Sequence, residues 1–140
     1  MNHRQILCAG ATLGGLGVVL GAFGAHWLEG AVVDWGLEPD EQQRRLDTWE
    51  VAVRYQMYHA LALLAVGLLA ARQAGRGLAA VSWLFIVGVL IFSGCLYALV
   101  ISGVKILGAI VPIGGTLMIA GWVVLAIACA RRSPQPGGAD

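Results

Sequence analysis

The chain is short of charge, and the deficit is concentrated in four long segments. Only 12% of its 140 residues are Asp, Glu, Lys or Arg, against about 25% in ordinary soluble proteins. The segments without any such residue are 5–28, 55–71, 77–104 and 106–130. Each is close to the roughly 20 apolar residues that a helix needs to cross about 30 Å of hydrocarbon. The sequence therefore predicts an all-α integral membrane four-helix bundle. We place its spans at about 5–27, 50–71, 78–101 and 106–130.

Little of the chain is left outside these segments, so a single four-span membrane domain is expected over residues 1–132. An external loop is expected at about 28–49. The tail 133–140 carries two prolines and two glycines, which is typical of disorder. The net charge of +1 offers no basic face for nucleic acid. Membrane lipids are the expected surroundings, and no nucleic-acid partner is expected.

Cysteine and histidine are too few and too scattered for a disulfide framework or a metal centre. Cys8, Cys95 and Cys129 lie in apolar segments without a CxxC pair, so buried free thiols are expected. No three or four His, Cys or acidic residues have the spacing of a zinc site. His26 and His59 should differ in depth by roughly 10 Å along their helices, which disfavours haem ligation. The sequence therefore predicts no metal and no cofactor.

The basic residues outside the spans predict the orientation. Four spans place both termini and the middle loop on one side, which holds Arg4, Arg72, Arg76, Arg131 and Arg132. The other side holds Arg44, Arg45 and Lys105, with Arg54 at the membrane edge. Because short cytoplasmic loops carry the excess of Lys and Arg, both termini are expected in the cytoplasm. Given its length and the three spans that follow, the first span is expected to persist rather than be cleaved as a signal peptide.

The external connection contains a helix start. Pro39 is tolerated at the first helical position, and Asp40 and Glu41 favour the positive end of the helix dipole. We therefore expect the second helix to begin outside the membrane and to enter it without a break. Three tryptophans are expected to mark the outer interface, where indole is favoured: Trp27, Trp35 and Trp49.

Five glycines of the first span recur at intervals of four and three residues: Gly10, Gly14, Gly17, Gly21 and Gly24. A repeat of 3.5 residues places all of them on one face of the helix. Helices in lipid associate through close packing, and a glycine face lets another backbone approach. We predict a packing seam, within the bundle or between protomers, with a flexible gating helix as the alternative.

A polar cluster at the start of the second span is the leading candidate for a ligand site: Arg54, Tyr55, Gln56, Tyr58 and His59. Glu50 precedes Arg54 by one turn, in the order that favours a helical ion pair. Arg54 therefore either pairs with Glu50 at the headgroup level or centres an anionic site for a lipid headgroup or small acid. His26, at the outer end of the first span, is placed at the same candidate site.

His59 is the ionisable residue expected deepest in the membrane. It follows Trp49 by about ten residues, or roughly 15 Å along a helix. Ionisable groups at that depth are costly and are functional candidates by default. His59 is either a neutral core residue, hydrogen-bonded to Gln56, a serine or a carbonyl, or a group for proton transfer, quinone binding or metal binding.

The third and fourth spans add weaker candidates. Ser93 and Tyr97 interrupt an apolar run. Pro112 removes the donor to the Gly108 carbonyl and is expected to kink or break the fourth helix. A freed carbonyl that points inward can bind an ion or a substrate. The spans contain no nucleophile–base pair and no paired carboxylates, so no catalytic residue and no enzyme activity are expected.

Four sequence motifs resemble a known family in composition and order. They are GAFGAH (21–26), WEVAVRYQMYHALALL (49–64), FSGCLY (92–97), and PIGG (112–115) with GW (121–122). They resemble the small bacterial inner-membrane proteins of the YgdD type, related to transmembrane protein 256 of animals. Cys95 and Val111 depart from that pattern, where serine and threonine are expected. The resemblance covers nearly the whole chain and implies four spans in the bacterial plasma membrane. Because the family is a domain of unknown function, it implies no catalytic residue.

Three functional hypotheses follow. The first is a non-enzymatic protein, either an accessory subunit with a membrane-protein partner or a homo-oligomer, or a binder of a lipid-like molecule. The second is a small oligomeric transporter or proton-coupled carrier that uses His59 and a helix break at Pro112. The third is a membrane redox protein that uses quinone.

Overall fold

The computed structural model describes residues 1–72 and 75–131, which form five α-helices and no strand. The helices are α1 (His3–Phe23), α2 (Glu29–Asp34), α3 (Pro39–Arg72), α4 (Arg76–Ser102) and α5 (Ile106–Ala130). A π-helical turn (Gly24–Leu28) joins α1 to α2, so four continuous helices are long and apolar enough to cross a membrane. The predicted all-α membrane four-helix bundle is confirmed. Arg132 and the tail expected to be disordered lie outside the described residues.

Local sequence explains where the helices begin and end. The side chain of Asn2 caps α1 by accepting from the backbone N–H of Gln5, whose side chain accepts from Asn2 in return. The prediction that the second long helix begins at Pro39 is confirmed, because α3 runs unbroken from there to Arg72. Gly103 ends α4 with a φ of 69°, a left-handed conformation that glycine adopts at little cost.

The connection between the first two long helices is mostly helical. The first continuous helix extends to Asp34, and α3 starts at Pro39, so only residues 35–38 join them. Gly36, with a φ of 66°, makes the turn. The expected loop at 28–49 is therefore replaced by helix surface on both sides of a tight turn. This part of the molecule is called the α2 end below.

The long helices pack as an open row in chain order. α3 packs against α1 and α4, and α4 packs against α5. Within the described residues, no contact of similar extent joins α1 to α5. The two edge helices consequently expose large apolar side chains, such as Val18 at 64% and Ile119 at 66%. In a bilayer these side chains face lipid.

Two apolar cores hold the row together. The first is built from α1, α3 and α4 and comprises Ile6, Ala62, Leu63, Val66, Leu78, Val81 and Phe85. The second lies at the α2 end and comprises Leu28, Val32, Trp49 and Val100. Gln56 and His59 lie between the two cores along α3.

The glycine stripe of α1 lies against α3 of the same chain. A Cβ atom added at Gly17 would lie 2.6 Å from Sδ of Met57, and one at Gly24 would lie 2.6 Å from Cδ1 of Trp49. The other members of the stripe also face α3, and they are Gly10, Gly14 and Gly21. The two helices approach closely because these positions carry no side chain.

A second glycine seam, not predicted from the sequence, joins α4 to α5. A Cβ atom at Gly114 would lie 2.5 Å from the backbone nitrogen of Phe92 and 2.7 Å from the carbonyl oxygen of Gly88. A Cβ atom at Gly121 would lie 2.6 Å from Cε1 of Phe85. Gly114 and Gly121, which follow Pro112, therefore serve helix packing.

Two expectations about surface residues need correction. Trp49 is not at the lipid interface: it is 3% exposed and donates its indole N–H to the carbonyl of Leu20 at 2.8 Å. It is buried because Gly24 leaves a space for its ring on the facing helix. Cys8 and Cys129 are exposed rather than buried, and both are free thiols. Their helices, α1 and α5, are the edges of the row.

Candidate functional site

Gln56 lies at the centre of a polar cluster that links three helices. Its side-chain Nε2 donates to the carbonyl oxygen of Leu13 on α1 at 2.8 Å, and its Oε1 accepts from the hydroxyl of Tyr97 on α4 at 3.0 Å. The residue is only 4% exposed. One amide on α3 thus ties together the helices on its two sides.

His59 uses both ring nitrogens within the same cluster. Nδ1 lies 2.8 Å from the carbonyl oxygen of Tyr55, and Nε2 lies 3.2 Å from the indole Nε1 of Trp122 on α5. A carbonyl can only accept and an indole N–H can only donate, so Nδ1 carries the proton and Nε2 accepts. The geometry therefore fits the neutral imidazole in a single tautomer.

Ser93 and Tyr97 attach α4 to α3. The Ser93 hydroxyl donates to the carbonyl of Ala52 at 2.8 Å and is 1% exposed. The Tyr97 ring packs on Trp49 with a centroid separation of 4.6 Å. These two candidates from the third span therefore lie in the polar cluster with Gln56.

Aromatic rings surround the imidazole of His59. The ring centroids of Phe85, Trp122 and Tyr55 lie 5.1, 6.0 and 6.4 Å from it. Phe85 is fully buried, whereas Trp122 is 48% exposed and Tyr55 is 40% exposed. His59 itself is 4% exposed, so the neighbouring rings separate it from the lipid.

Arg54 and His26, which were predicted to belong to the same ligand site as His59, lie apart from this cluster. Arg54 donates to Glu50, and both side chains are about half exposed or more, at 49% and 68%. The pair matches the first alternative for Arg54, an exposed helical ion pair. His26 is exposed and lines a surface groove with Asp34 and the two exposed tryptophans of the α2 end. In the part of the chain that the structure describes, neither residue hydrogen-bonds to the cluster.

Pro112 does not break α5. The helix continues from Ile106 to Ala130, and the proline is exposed on its surface. Pro112 lies less than two turns after the start of the helix, so only a short helical segment precedes it. The Pro112 carbonyl accepts a hydrogen bond from the Thr116 hydroxyl at 2.9 Å. The structure thus shows no break at Pro112, and the predicted kink stays a prediction. Pro112 makes no side-chain hydrogen bond to the cluster.

The buried polar atoms of the cluster find hydrogen-bond partners within the protein. Among the residues described, every buried side-chain nitrogen or oxygen atom has a hydrogen-bond partner. The same residues contain no group of three or more His, Cys, Asp or Glu that is arranged to hold a metal. Trp122 is the member that sequence reasoning missed. Trp122 belongs to the GW motif, but its hydrogen bond to His59 depends on how α5 packs against the other helices, which the sequence does not give.

Open grooves occur at the α2 end. One of them has a volume of about 380 Å³ and lies between the π-helical turn and α3. Its lining includes Trp49 and Leu28, together with the carboxylates of Glu29, Asp47 and Glu50. Asp47 accepts a hydrogen bond from Gln43, and Glu50 forms an ion pair with Arg54.

Comparison with known proteins identifies relatives along most of the chain. A family model described as "Protein of unknown function (DUF423)" matches residues 20–115. The UPF0382 membrane protein YwdK of Bacillus subtilis is 41% identical over 129 residues, which cover 91% of this chain and 98% of that protein. The UPF0382 membrane protein SERP0230 of Staphylococcus epidermidis is 44% identical over 128 residues, which cover 91% and 97%. No solved structure matches the chain significantly.

Proposed function

This chain belongs to the DUF423 family of membrane proteins of unknown function, and we propose that it is a non-enzymatic accessory subunit that docks a transmembrane helix of a partner protein. The proposal rests on the polar cluster within the helices, where every buried side-chain nitrogen or oxygen atom of the described residues has a hydrogen-bond partner in the protein. Gln56 and Ser93 hydrogen-bond to groups on neighbouring helices, whereas His59 bonds to the Tyr55 carbonyl on its own helix and to Trp122 on α5. These bonds fix the helices relative to one another, which is a structural role and supports a non-enzymatic protein.

The exposed face of α4 supports helix docking. Gly94, Ala98 and Ser102 lie on this face at intervals of four residues, beside the exposed Leu90 and Ile101. A Cβ atom at Gly94 would meet nothing within 4 Å. Small residues at this spacing let a second helix pack closely in lipid. The glycine stripe of α1, by contrast, is already occupied by α3.

The transporter hypothesis has weaker support. A proton carrier at His59 needs a ring nitrogen that can exchange its proton, and both nitrogens take part in hydrogen bonds. Pro112 is exposed on a continuous helix. Proton or solute flux in liposomes that disappears in a folded His59→Ala variant would replace the docking proposal with transport.

We further propose that the protein resides in the bacterial plasma membrane with cytoplasmic termini. By sequence, the side of the termini carries the larger group of basic residues, five against three or four with Arg54: Arg4, Arg72, Arg76, Arg131 and Arg132. The α2 end combines Arg44, Arg45 and Lys105 with most of the acidic residues. The bias of Lys and Arg toward cytoplasmic loops supports this orientation. Labelling of single cysteines at position 2 and position 38 with a membrane-impermeant reagent tests it: only position 38 should react in intact cells.

Native mass spectrometry after gentle extraction into membrane discs tests the docking proposal. Wild-type protein should carry a second membrane protein in fixed stoichiometry. Gly94→Leu should lose it without loss of thermal stability, because position 94 faces open space. Gly15→Leu is the matched control, since a Cβ atom there also meets nothing within 4 Å. A wild-type monomer without a protein partner, or a partner retained by Gly94→Leu, would refute the proposal. If wild-type protein instead binds a second copy of this chain and Gly94→Leu does not, the docked helix belongs to that second copy.

A further inference from the structure

A surface groove of about 340 Å³ lies at the α2 end, apart from the polar cluster. Its lining consists of His26, Trp27, Gly30, Ala31, Asp34 and Trp35. The indole rings of the two tryptophans are 6.3 Å apart between centroids and stand at 69° to each other. Two aromatic rings at a steep angle therefore border the same space as a carboxylate and an imidazole.

Residues outside the groove fix its aromatic walls. Trp27 stacks on Phe23 with a centroid separation of 4.6 Å, and the guanidinium of Arg45 lies 5.7 Å from the ring centroid of Trp35. Neither Phe23 nor Arg45 lines the groove. The π-helical turn contains Trp27, and such turns are frequent at functional sites. The ring positions therefore do not depend on a ligand.

The groove lining also includes a glycine, Gly30, which lies in α2. A Cβ atom at Gly30 would meet nothing within 4 Å. Glycine is less favourable than alanine for helix stability. A larger side chain at this position would therefore extend into open space at the groove without a clash at Cβ.

The charge of the lining selects the ligand class. Asp34 contributes a carboxylate, and neither lysine nor arginine is among the lining residues. The salt bridges among the described residues involve Glu41 and Glu50, and none of them involves Asp34. A carboxylate beside aromatic ring faces attracts a cationic ammonium group and disfavours an anionic one.

We propose that this groove binds the ammonium group of a phospholipid headgroup, with Trp27 and Trp35 supplying ring faces and Asp34 the counter-charge. Exposed tryptophans favour the membrane–water interface, which is also the level of the headgroups. The imidazole of His26 supplies an N–H for the headgroup phosphate. This site lies at the end of the first continuous helix and not on the α4 face. The proposal is therefore independent of whether a partner protein docks on α4.

Native mass spectrometry in discs of equal parts phosphatidylethanolamine and phosphatidylglycerol tests the proposal. Wild-type protein should retain the ethanolamine lipid in preference to the glycerol lipid. Asp34→Asn and Trp27→Leu should each reduce this preference about two- to fivefold, the scale of an exposed cation–π contact. Asp40→Asn removes a carboxylate at the same end outside the groove, and Trp83→Leu removes an exposed indole on α4. Both control variants should keep the wild-type preference.

Gly30→Leu fills the groove without a steric clash and provides a test that does not risk the fold. It should abolish the lipid preference while its thermal stability stays at or above that of the wild type. Gly94→Leu, which tests docking on α4, should keep the lipid preference. Equal retention of the two lipids by wild-type protein, or a wild-type preference in both Gly30→Leu and Asp34→Asn, would overturn the headgroup site.

Discussion

Trp122 on α5 donates its indole N–H to Nε2 of His59 on α3, across 3.2 Å. In the part of the chain that is described, α3 and α5 do not pack extensively through their backbones, so this bond connects two helices that are not neighbours in the row. The other nitrogen of His59 donates to the Tyr55 carbonyl. The imidazole therefore acts as a bridge whose tautomer is set by its two partners.

A double-mutant cycle with Trp122→Phe and His59→Leu should detect this bridge. The coupling free energy of unfolding should be about 0.6 kcal/mol and at most about 1.7 kcal/mol, the range for hydrogen bonds between membrane helices. Trp83→Phe is the control partner, because Trp83 is 54% exposed on α4. Its combination with His59→Leu should be additive. A coupling of zero for the Trp122 pair would contradict the bridge.

Gln56→Leu should destabilise the protein more than any change to an exposed glutamine. The substitution removes the donor to Leu13 and the acceptor of Tyr97, two contacts that tie α1 and α4 to α3. We expect a loss of about 1–2 kcal/mol in the free energy of unfolding. Gln43→Leu, at an exposed position, should change it by less than about 0.5 kcal/mol. Equal stability of the two variants in mild detergent would contradict the role of Gln56.

Sequence reasoning located these polar residues along their helices but could not find their partners. Depth follows from counting residues, and Gln56, His59 and Ser93 do lie within the membrane-spanning helices. The direction in which each side chain points depends on which helices meet, and that is decided by glycine seams and packing. His26 and Arg54 were grouped with the cluster for this reason, although both lie on other surfaces.

The burial of Trp49 shows the same limit. Its position near the end of a span predicts an interfacial indole, and nothing local contradicts that prediction. Gly24, on another helix, creates the space that takes the ring. The start of α3 at Pro39, in contrast, was predictable because proline and the acidic residues that follow act locally.

Gly114→Ala should separate α4 from α5. The added methyl group would meet the Phe92 nitrogen at 2.5 Å and the Gly88 carbonyl at 2.7 Å, and backbone atoms cannot move aside as a side chain can. We expect a loss of about 1–3 kcal/mol in thermal or chemical unfolding. The neighbouring Gly115→Ala makes only ordinary contacts of 3.8 Å with Phe92 and should be close to neutral. Similar stability of both variants would contradict the α4–α5 seam.

Gly17→Leu should weaken the packing of α1 on α3. A Cβ atom at this position already lies 2.6 Å from Sδ of Met57, and the remaining leucine atoms need further space. Since the Met57 side chain is flexible, the expected loss is about 1–3 kcal/mol rather than complete unfolding. Gly15→Leu, on the open face of α1, should leave the unfolding midpoint unchanged. A wild-type midpoint for Gly17→Leu would exclude close packing at this position.

The ion pairs of Glu41 should make stability depend on acid pH. Glu41 lies in the first turn of α3, ahead of the apolar span, and the hydrogen bond from Arg45 lowers its pKa below the ordinary value of 4.5. Because the folded pKa is the lower one, this stabilisation is present above pH 4.5 and is lost as the pH falls through the folded pKa. Arg45 also donates to the Val100 carbonyl, so the contact links α3 to α4.

Thermal unfolding of wild-type protein and Glu41→Gln between pH 7 and pH 3 measures this effect. Wild-type protein should unfold at the higher temperature at pH 7, and the difference should close as the pH falls toward 3. Glu38→Gln, which removes an exposed carboxylate without a salt bridge among the described residues, should show no such pH-dependent difference. A constant gap for Glu41→Gln across the range would show that its charge is irrelevant.

The tautomer of His59 tests most directly whether the intramembrane cluster is a structural frame. Nitrogen NMR of histidine-labelled protein in lipid, with His59→Leu to assign the signal, distinguishes a protonated ring nitrogen from an unprotonated one. We expect one neutral form, with the proton on Nδ1 and with Nε2 accepting from Trp122, and a change at Nε2 in Trp122→Phe. A proton on Nε2, or rapid exchange between tautomers, would contradict it and would restore His59 as a candidate for proton transfer.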